Sequence, residues 1–385
     1  MRPRVAIVHD WAMSMRGAER VLESFCRLYP GAPIFTLSHD AGALSPELAA
    51  RAFHDSFVHR WARWLPRRGP GFRAFLPLFP AAIESFRLHE YDLVVSSSHA
   101  VAKGAIAAPG ALHVSYVHSP MRYVWEAGAA YAPSVPGGAA GRAAFAAMAH
   151  YLRLWDTAST ARVDVLVANS AYTRARIWRS YGREAAVIEP PVDTARFARV
   201  PDLAPDGREP VYLCVSALVP YKQVDLAVRA FATRQRPGRL VVVGDGPERA
   251  RLETLGHGRV TLRGRVDDDE LLRLYAAARA IIHPALDDFG IVPREALAAG
   301  RPVVTFAEGG AADAVDGGSA GVTFDERTPE SLAAAVDRLE AMPFVSAPLR
   351  AAARRFDRTA FEDRFAALVD AELRRRTDVS ARRGR

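Results

Sequence analysis

His283-Pro284-Ala285-Leu286-Asp287-Asp288-Phe289-Gly290-Ile291-Val292-Pro293-Arg294-Glu295-Ala296 is the most informative stretch of this chain. It sets two carboxylates, Asp287 and Glu295, eight positions apart across a turn that leads from an apolar strand into a helix. Ala280-Ile281-Ile282 upstream reads as a buried strand. Pro293 suits the first helical position, because its φ is preorganised and its missing N–H has no partner to lose there. The acids therefore sit where a strand ends. In open α/β sheets ligands bind beyond the carboxyl ends of strands, and a helix N-terminus there offers free N–H groups to anions. The segment predicts a site for a hydroxyl-rich, phosphate-bearing ligand.

Similar apolar runs recur on both sides of it. In the first half they fall at residues 4–9, 92–96, 113–118, 164–168 and 185–189, and in the second at 211–216, 240–244, 260–263 and 302–306. Helical patterns intervene: one begins near Gly17, one from Val224 puts Val224, Ala227, Val228 and Phe231 on one face, and one covers 268–278. Pro190, Pro191, Pro201, Pro205, Gly207 and Pro210 crowd together and mark a linker. Strands alternating with helices predict an α/β protein with doubly wound parallel sheets. Two such series predict two similar lobes with a cleft between them, at residues 1–195 and 210–356, joined by a linker at 196–209. A helix and basic tail at 357–385 close the chain, the helix leaning back on the first lobe. Residues 127–149 are rich in Ala and Gly and read as a flexible loop running into a helix.

With 385 residues, 50% of them hydrophobic, two domains are the natural division. The two cysteines, Cys26 and Cys214, lie far apart in apolar surroundings, so neither a disulfide framework nor a thiolate metal site is expected. The apolar run at the N-terminus is too short for a secretory leader, and no window of about 18 apolar residues exists to span a membrane. The expected place is the cytoplasm, with peripheral contact to the inner face of the cytoplasmic membrane.

Net charge is +8, and its location decides what it means. Residues 51–73 hold six arginines against one aspartate, and so do residues 374–385, which leaves the rest of the chain close to neutral. In the first of these segments Phe57, Val58, Trp61, Trp64 and Leu65 share one helical face, and Arg60, Arg63 and Arg67 the opposite one. Such a face suits an interfacial helix that lays aromatics into lipid and arginines on anionic headgroups, or an acceptor surface. A helix packed on its own domain gives the same pattern. The basic tail reads as a frayed end.

Glycines mark further turns after strands. Gly17 follows the first strand, without the three spaced glycines of a dinucleotide fingerprint, so NAD and FAD are not indicated. Gly244-Asp245-Gly246-Pro247 and Glu308-Gly309-Gly310-Ala311 follow strands of the second half; the latter places two glycines where a helix begins, an anion cradle by geometry. Only two lysines occur, Lys103 and Lys222. Lys222 lies in the loop after the second lobe's first strand, where a compact ammonium can neutralise a diphosphate. A solvated surface lysine is the alternative.

Together these residues resemble the family 4 retaining glycosyltransferases, of GT-B architecture. The likeness rests on Ser216 to Phe231, Gly244 to Pro247, Leu262-Arg263-Gly264-Arg265-Val266, and His283 to Gly310, and includes the family's signature of an acidic residue, seven others and a glutamate, at Asp287 and Glu295. The wording of Leu218-Val219-Pro220-Tyr221-Lys222 and of Asp288 to Pro293 is closest to bacterial mannosyltransferases of O-antigen and exopolysaccharide assembly. The first half agrees more loosely, at His9-Asp10-Trp11, Gly17-Ala18-Glu19, Tyr116-Val117-His118-Ser119-Pro120, Asn169-Ser170 and Thr173-Arg174.

The resemblance implies that the second lobe binds the nucleotide-sugar donor and the first the acceptor. Glu295 would hold the donor ribose, Asp287 the hydroxyls of the transferred sugar, and Lys222 the diphosphate. Backbone N–H groups at Phe289, Gly290 and Ile291 would touch sugar or diphosphate, with Ser216, Gly244 and Val266 also lining the donor site. His118 would lie beside the sugar, and Gly17 would let its loop approach a substrate. Many relatives carry an arginine where this chain has Ala217, which leaves more of the phosphate clamp to Lys222 and the helix ends.

Cleaving a sugar–diphosphate bond builds negative charge on the leaving group, so electrostatic stabilisation is the main demand. Lys222 and backbone N–H groups would meet it, with no metal and no cofactor. The one acidic cluster, Asp267-Asp268-Asp269-Glu270, reads as the first turn of a helix, where carboxylates complement the dipole. The expected reaction moves mannose from GDP-mannose to a lipid-linked or oligosaccharide acceptor, without nucleic acid as partner. A nucleotide-sugar epimerase of the same fold is the enzymatic alternative, and a basic nucleic-acid-binding protein a further one. A glycoside hydrolase would also pair two carboxylates, but has no use for a phosphate clamp.

Overall fold

A computed structural model describes residues 3–62, 64, 71–125, 138–202, 209–234, 237–256, 258–315 and 318–383. The chain divides into two compact units, Met1–Pro190 with Phe361–Arg385, and Pro191–Ala360.

The first unit holds seven parallel strands: β1 (Val5–His9), β2 (Ile34–Thr36), β3 (Phe53–Asp55), β4 (Leu93–Ser98), β5 (Leu112–Val117), β6 (Val165–Ala168) and β7 (Ala186–Val187). Their spatial order is β3-β2-β1-β4-β5-β6-β7. Every residue of β4 and β5 is buried, as expected of central parallel strands covered on both faces. Successive residues of β1 feed two cores: Ala6 and Val8 pack with Phe35, Phe79 and Val94, while Ile7 packs with Phe25, Val95 and Val114. The closing helix, Arg358–Arg383, docks on the second of these cores. Phe365 lies 4.6 Å from the Phe25 ring, Phe361 stands edge-on to Tyr116, and Arg376 pairs with Asp164.

The second unit repeats the plan in six parallel strands: β8 (Val211–Val215), β9 (Arg239–Val243), β10 (Val260–Gly264), β11 (Ala278–His283), β12 (Val303–Phe306) and β13 (Gly321–Phe324). Their order is β10-β9-β8-β11-β12-β13. In each sheet the order reverses beside the first strand, between β1 and β4 and between β8 and β11. Ligands of doubly wound folds bind at the carboxyl ends there.

Several expectations need correction. Strands β2, β3 and β13 add to those read from the sequence, and the strand expected at 185–189 shortens to the two residues of β7. The helix after β11 begins at Ile291, two residues before Pro293, because Gly290 in the left-handed region (φ 77°) already turns the chain. Proline remains tolerable within that first turn, where N–H groups have no intrahelical partner. The basic aromatic segment forms a helix only over Phe57–Ala62, and Trp64 falls in the following turn. Arg63, Leu65 and Arg67 lie outside the described residues, as do 127–137 of the Ala/Gly-rich stretch, which continues as the helix Gly138–Ser159.

Both cysteines are free and buried, and burial pushes each thiol up to about 12. Among the described residues no helix is long and apolar enough to cross a membrane. Lys103 is buried in the first unit. It pairs with Asp156 at 2.6 Å, and Trp125 Nε1 and Tyr181 Oη donate to the same carboxylate at 2.7 and 2.8 Å.

Candidate active site

The loops that follow β8 and β11 meet at the second unit's switch point. After β8 the chain makes a single 3-10 turn at Pro220–Lys222 and passes through Gln223, the one described non-glycine residue with positive φ (51°). That kink starts the helix Val224–Thr233 and sends Lys222 across to the other loop. Lys222 Nζ donates to both carboxylate oxygens of Asp287, at 2.6 and 2.7 Å. His283, the last residue of β11, brings Nε2 to 3.2 Å from the same carboxylate. Burial would raise the Asp287 carboxyl, but Lys222 and His283 outweigh it and hold the group well below the usual carboxylate range.

Glu295 sits one turn into the helix Ile291–Ala298, half-buried, and accepts a hydrogen bond from Tyr275 Oη at 3.4 Å. Phe289 is buried and packs against Phe356, so its side chain belongs to the core rather than to a ligand surface. The N–H groups of Gly290 and Ile291 have no acceptor among the described residues.

The glycine turns hold these loops close together. A Cβ on Gly244 would overlap the Ser216 carbonyl oxygen, and one on Gly310 would overlap that of Asp288. Gly310 N also donates to Asp287 O at 2.8 Å. Glu308-Gly309-Gly310 is thus a buttress behind Asp287. No helix follows it, only the 3-10 turn Ala312–Ala314, which corrects the expected anion cradle. Ser216 lies in the β8 loop, its N–H bonded to Val243 O at 2.9 Å, and Val266 packs on the core below the sheet. Asp267 caps the helix Asp268–Ala277 by accepting from Glu270 N at 2.8 Å, the helix-start role read for the acidic cluster. Among the described residues no group of three His, Cys, Asp or Glu converges as a metal site.

The first unit has its own polar centre. His118 follows β5; its Nε2 shares a hydrogen bond with Ser97 Oγ at 2.8 Å, and its carbonyl accepts from Asn169 Nδ2 at 2.9 Å. Burial first, then the neighbouring His99 and His9, push its imidazole well below the ordinary value, so it is neutral at pH 7. Gly17 is the first residue of the helix Gly17–Leu28, where Arg16 N donates to Glu19 Oε2 at 3.0 Å.

Sequence reasoning missed Asp10. Wholly buried after β1, it accepts the N–H groups of His99, Ala100, Val101 and Ala102 at 2.6 to 2.9 Å, and so clamps the loop after β4. An acid at the carboxyl end of β1 was the available signal, but its partners lie about ninety positions downstream. Arg60, Trp61 and Trp64 are exposed, Trp64 by 89%.

Two family models match the chain: Glycosyltransferase Family 4 over residues 15–196, and Glycosyl transferases group 1 over residues 196–359. A GDP-mannose-dependent alpha-(1-6)-phosphatidylinositol monomannoside mannosyltransferase of Mycobacterium tuberculosis is 34% identical over 46% of this chain and 52% of its own length. A GDP-mannose-dependent alpha-mannosyltransferase of the same organism is 31% identical over 59% of this chain and 62% of its own. The matches thus span about half the length of the curated relatives. Among solved structures, HepE of Anabaena in complex with UDP and glucose aligns with a TM-score of 0.66 at 18% identity, over 96% of this chain and all of that one. Sucrose-phosphate synthase of Thermosynechococcus elongatus aligns with a TM-score of 0.70 at 20% identity, over 97% and 99%. These likenesses show the fold, which is GT-B.

Proposed function

The chain belongs to the family 4 glycosyltransferases, and we propose that it transfers mannose, with retention of configuration, from GDP-mannose to a lipid-linked or oligosaccharide acceptor. The observation that carries the donor reading is the Lys222–Asp287 pair at the β8/β11 switch point, next to a helix that starts with free N–H groups and bears Glu295. The relatives' names supply the choice of GDP-mannose.

On this reading Glu295 accepts hydrogen bonds from the ribose hydroxyls. The diphosphate draws Lys222 from Asp287 and sits against the N–H groups of Gly290 and Ile291, which leaves the Asp287 carboxylate to accept from the sugar's hydroxyls. The bond from the sugar's anomeric carbon to the phosphate oxygen breaks, and Lys222 stabilises the charge that accumulates on the leaving diphosphate. The acceptor oxygen bonds to the same face of that carbon, and its proton passes to the departing phosphate. No step needs a metal, and turnover should persist in excess chelator. His118, neutral, can hydrogen-bond to a hydroxyl without competing for the phosphate.

Thermal unfolding with GDP-mannose or UDP-glucose tests the donor. A ligand at a hundred times its Kd stabilises by about 2.7 kcal/mol, so the true donor stands out by several degrees. Stabilisation by UDP-glucose alone would replace the proposed donor; GDP release only when an acceptor is added supports transfer over epimerisation.

A further inference from the structure

Arg294 is among the largest side chains in the molecule that are wholly buried, at 0% exposure. Its guanidinium donates to the carbonyl oxygen of Phe289 and, at 3.3 Å, to that of Gly290. It also stacks on two rings, with Cζ 4.2 Å from the centroid of Phe289 and 5.3 Å from that of Phe356. Burying a charge is costly, and an apolar residue of similar size generally serves a core as well or better. Core packing alone therefore does not account for arginine here.

The peptide units it grips suggest the reason. In a trans peptide the C=O and N–H point to opposite sides. Holding the carbonyls of Phe289 and Gly290 therefore turns the N–H groups of Gly290 and Ile291 the other way. These are the N–H groups without an acceptor at the start of the helix Ile291–Ala298. A guanidinium on the carbonyl also polarises the peptide and strengthens its N–H as a donor. Gly290 is locked from the other side as well, since a Cβ there would press on Ala311.

We propose that Arg294 is a positioning residue for the donor diphosphate: from behind the turn it aims the Gly290 and Ile291 N–H groups at the phosphates. This rests on the donor-site reading above. Arg294 itself never touches the ligand.

The test compares wild-type protein with Arg294→Met and Arg294→Lys, measuring by calorimetry the affinities for GDP and guanosine, and for UDP and uridine, well below each protein's Tm. The ratio of diphosphate to nucleoside affinity isolates the phosphates from general stability. In Arg294→Met that ratio should fall about tenfold or more, with nucleoside affinity kept, and Arg294→Lys should lie between. A lower Tm with an unchanged ratio would overturn the proposal and leave Arg294 a packing residue. Should Arg294→Met fail to fold, the lysine variant decides, because lysine keeps the charge but not the two-carbonyl grip; an unchanged ratio there is equally fatal. Wild-type protein that prefers neither diphosphate to its nucleoside would instead refute the donor site itself, and this proposal with it.

Discussion

Lys222 and Asp287, 65 positions apart, share two hydrogen bonds of 2.6 and 2.7 Å, so that each charged group occupies the other. The pair ties the loops of neighbouring strands β8 and β11, and on the proposed mechanism it must open for the donor to enter. Replacing Lys222 with Ala should cost about 2 to 3 kcal/mol in urea unfolding, less than a wholly buried pair, since both side chains keep some contact with water. Removing Asp287 as well should restore most of that stability without restoring turnover. A double variant as unstable as the single one would show that Asp287 is not strained by its partner's loss.

His113 gives the fold a sensitivity to acid. It is buried between strands with its Nε2 2.9 Å from Ser96 Oγ, and burial drives it from 6.5 down to about 4. Between those values the unfolded chain takes up a proton that the folded one refuses, so stability is full above pH 6.5 and declines as pH falls toward 4, by up to about 3 kcal/mol. His118, lowered in the same direction, adds to the slope. Denaturant unfolding from pH 7.5 to 4 should show the decline, and His113→Gln should flatten it.

Glu295→Ala should lower donor turnover about a hundredfold or more while the protein stays folded, because two ribose hydroxyls would lose a charged acceptor. Tyr275→Phe removes only a long hydrogen bond to that carboxylate and should cost a few-fold in donor KM. Near-normal kcat/KM in Glu295→Ala would take the residue out of the site.

Trp61 and Trp64 stand 48% and 89% exposed beside Arg60 at the end of a six-residue helix. If this surface meets membrane, replacing both tryptophans with Ala should weaken sedimentation with anionic liposomes about tenfold, and salt should weaken the wild type. Equal binding by variant and wild type would leave the tryptophans without that role.

The opening motif revealed its strand, turn and helix because those are local: a continuous apolar run, a glycine that can turn left-handed, and a proline in the first turn followed by the good helix formers Arg294 to Ala298. Most strands of both sheets were legible for the same reason, β6 and β12 with only four residues each among them, whereas β2, β3 and β13, none shorter than β7, were not. Pairings were not legible. Nothing near Asp10 announces a loop ninety residues on, and nothing near Lys222 announces Asp287, because both contacts are made by parallel crossovers that bring distant loops to one end of a sheet. Gly310 looked like a ligand cradle because turn glycines look alike in sequence, and only the carbonyl of Asp288 pressed against it distinguishes the two roles.

The chain's two lysines are both held by aspartates, but not equally. Lys103 is 1% exposed and walled in by Trp155 and Tyr181, while the side chain of Lys222 is 21% exposed. An amine-directed acylating reagent therefore finds a single side-chain target, and that target lies in the proposed donor site. Labelling mapped to the Lys222 peptide becomes a count of open sites: each nucleotide that draws Lys222 into a phosphate contact should shield it.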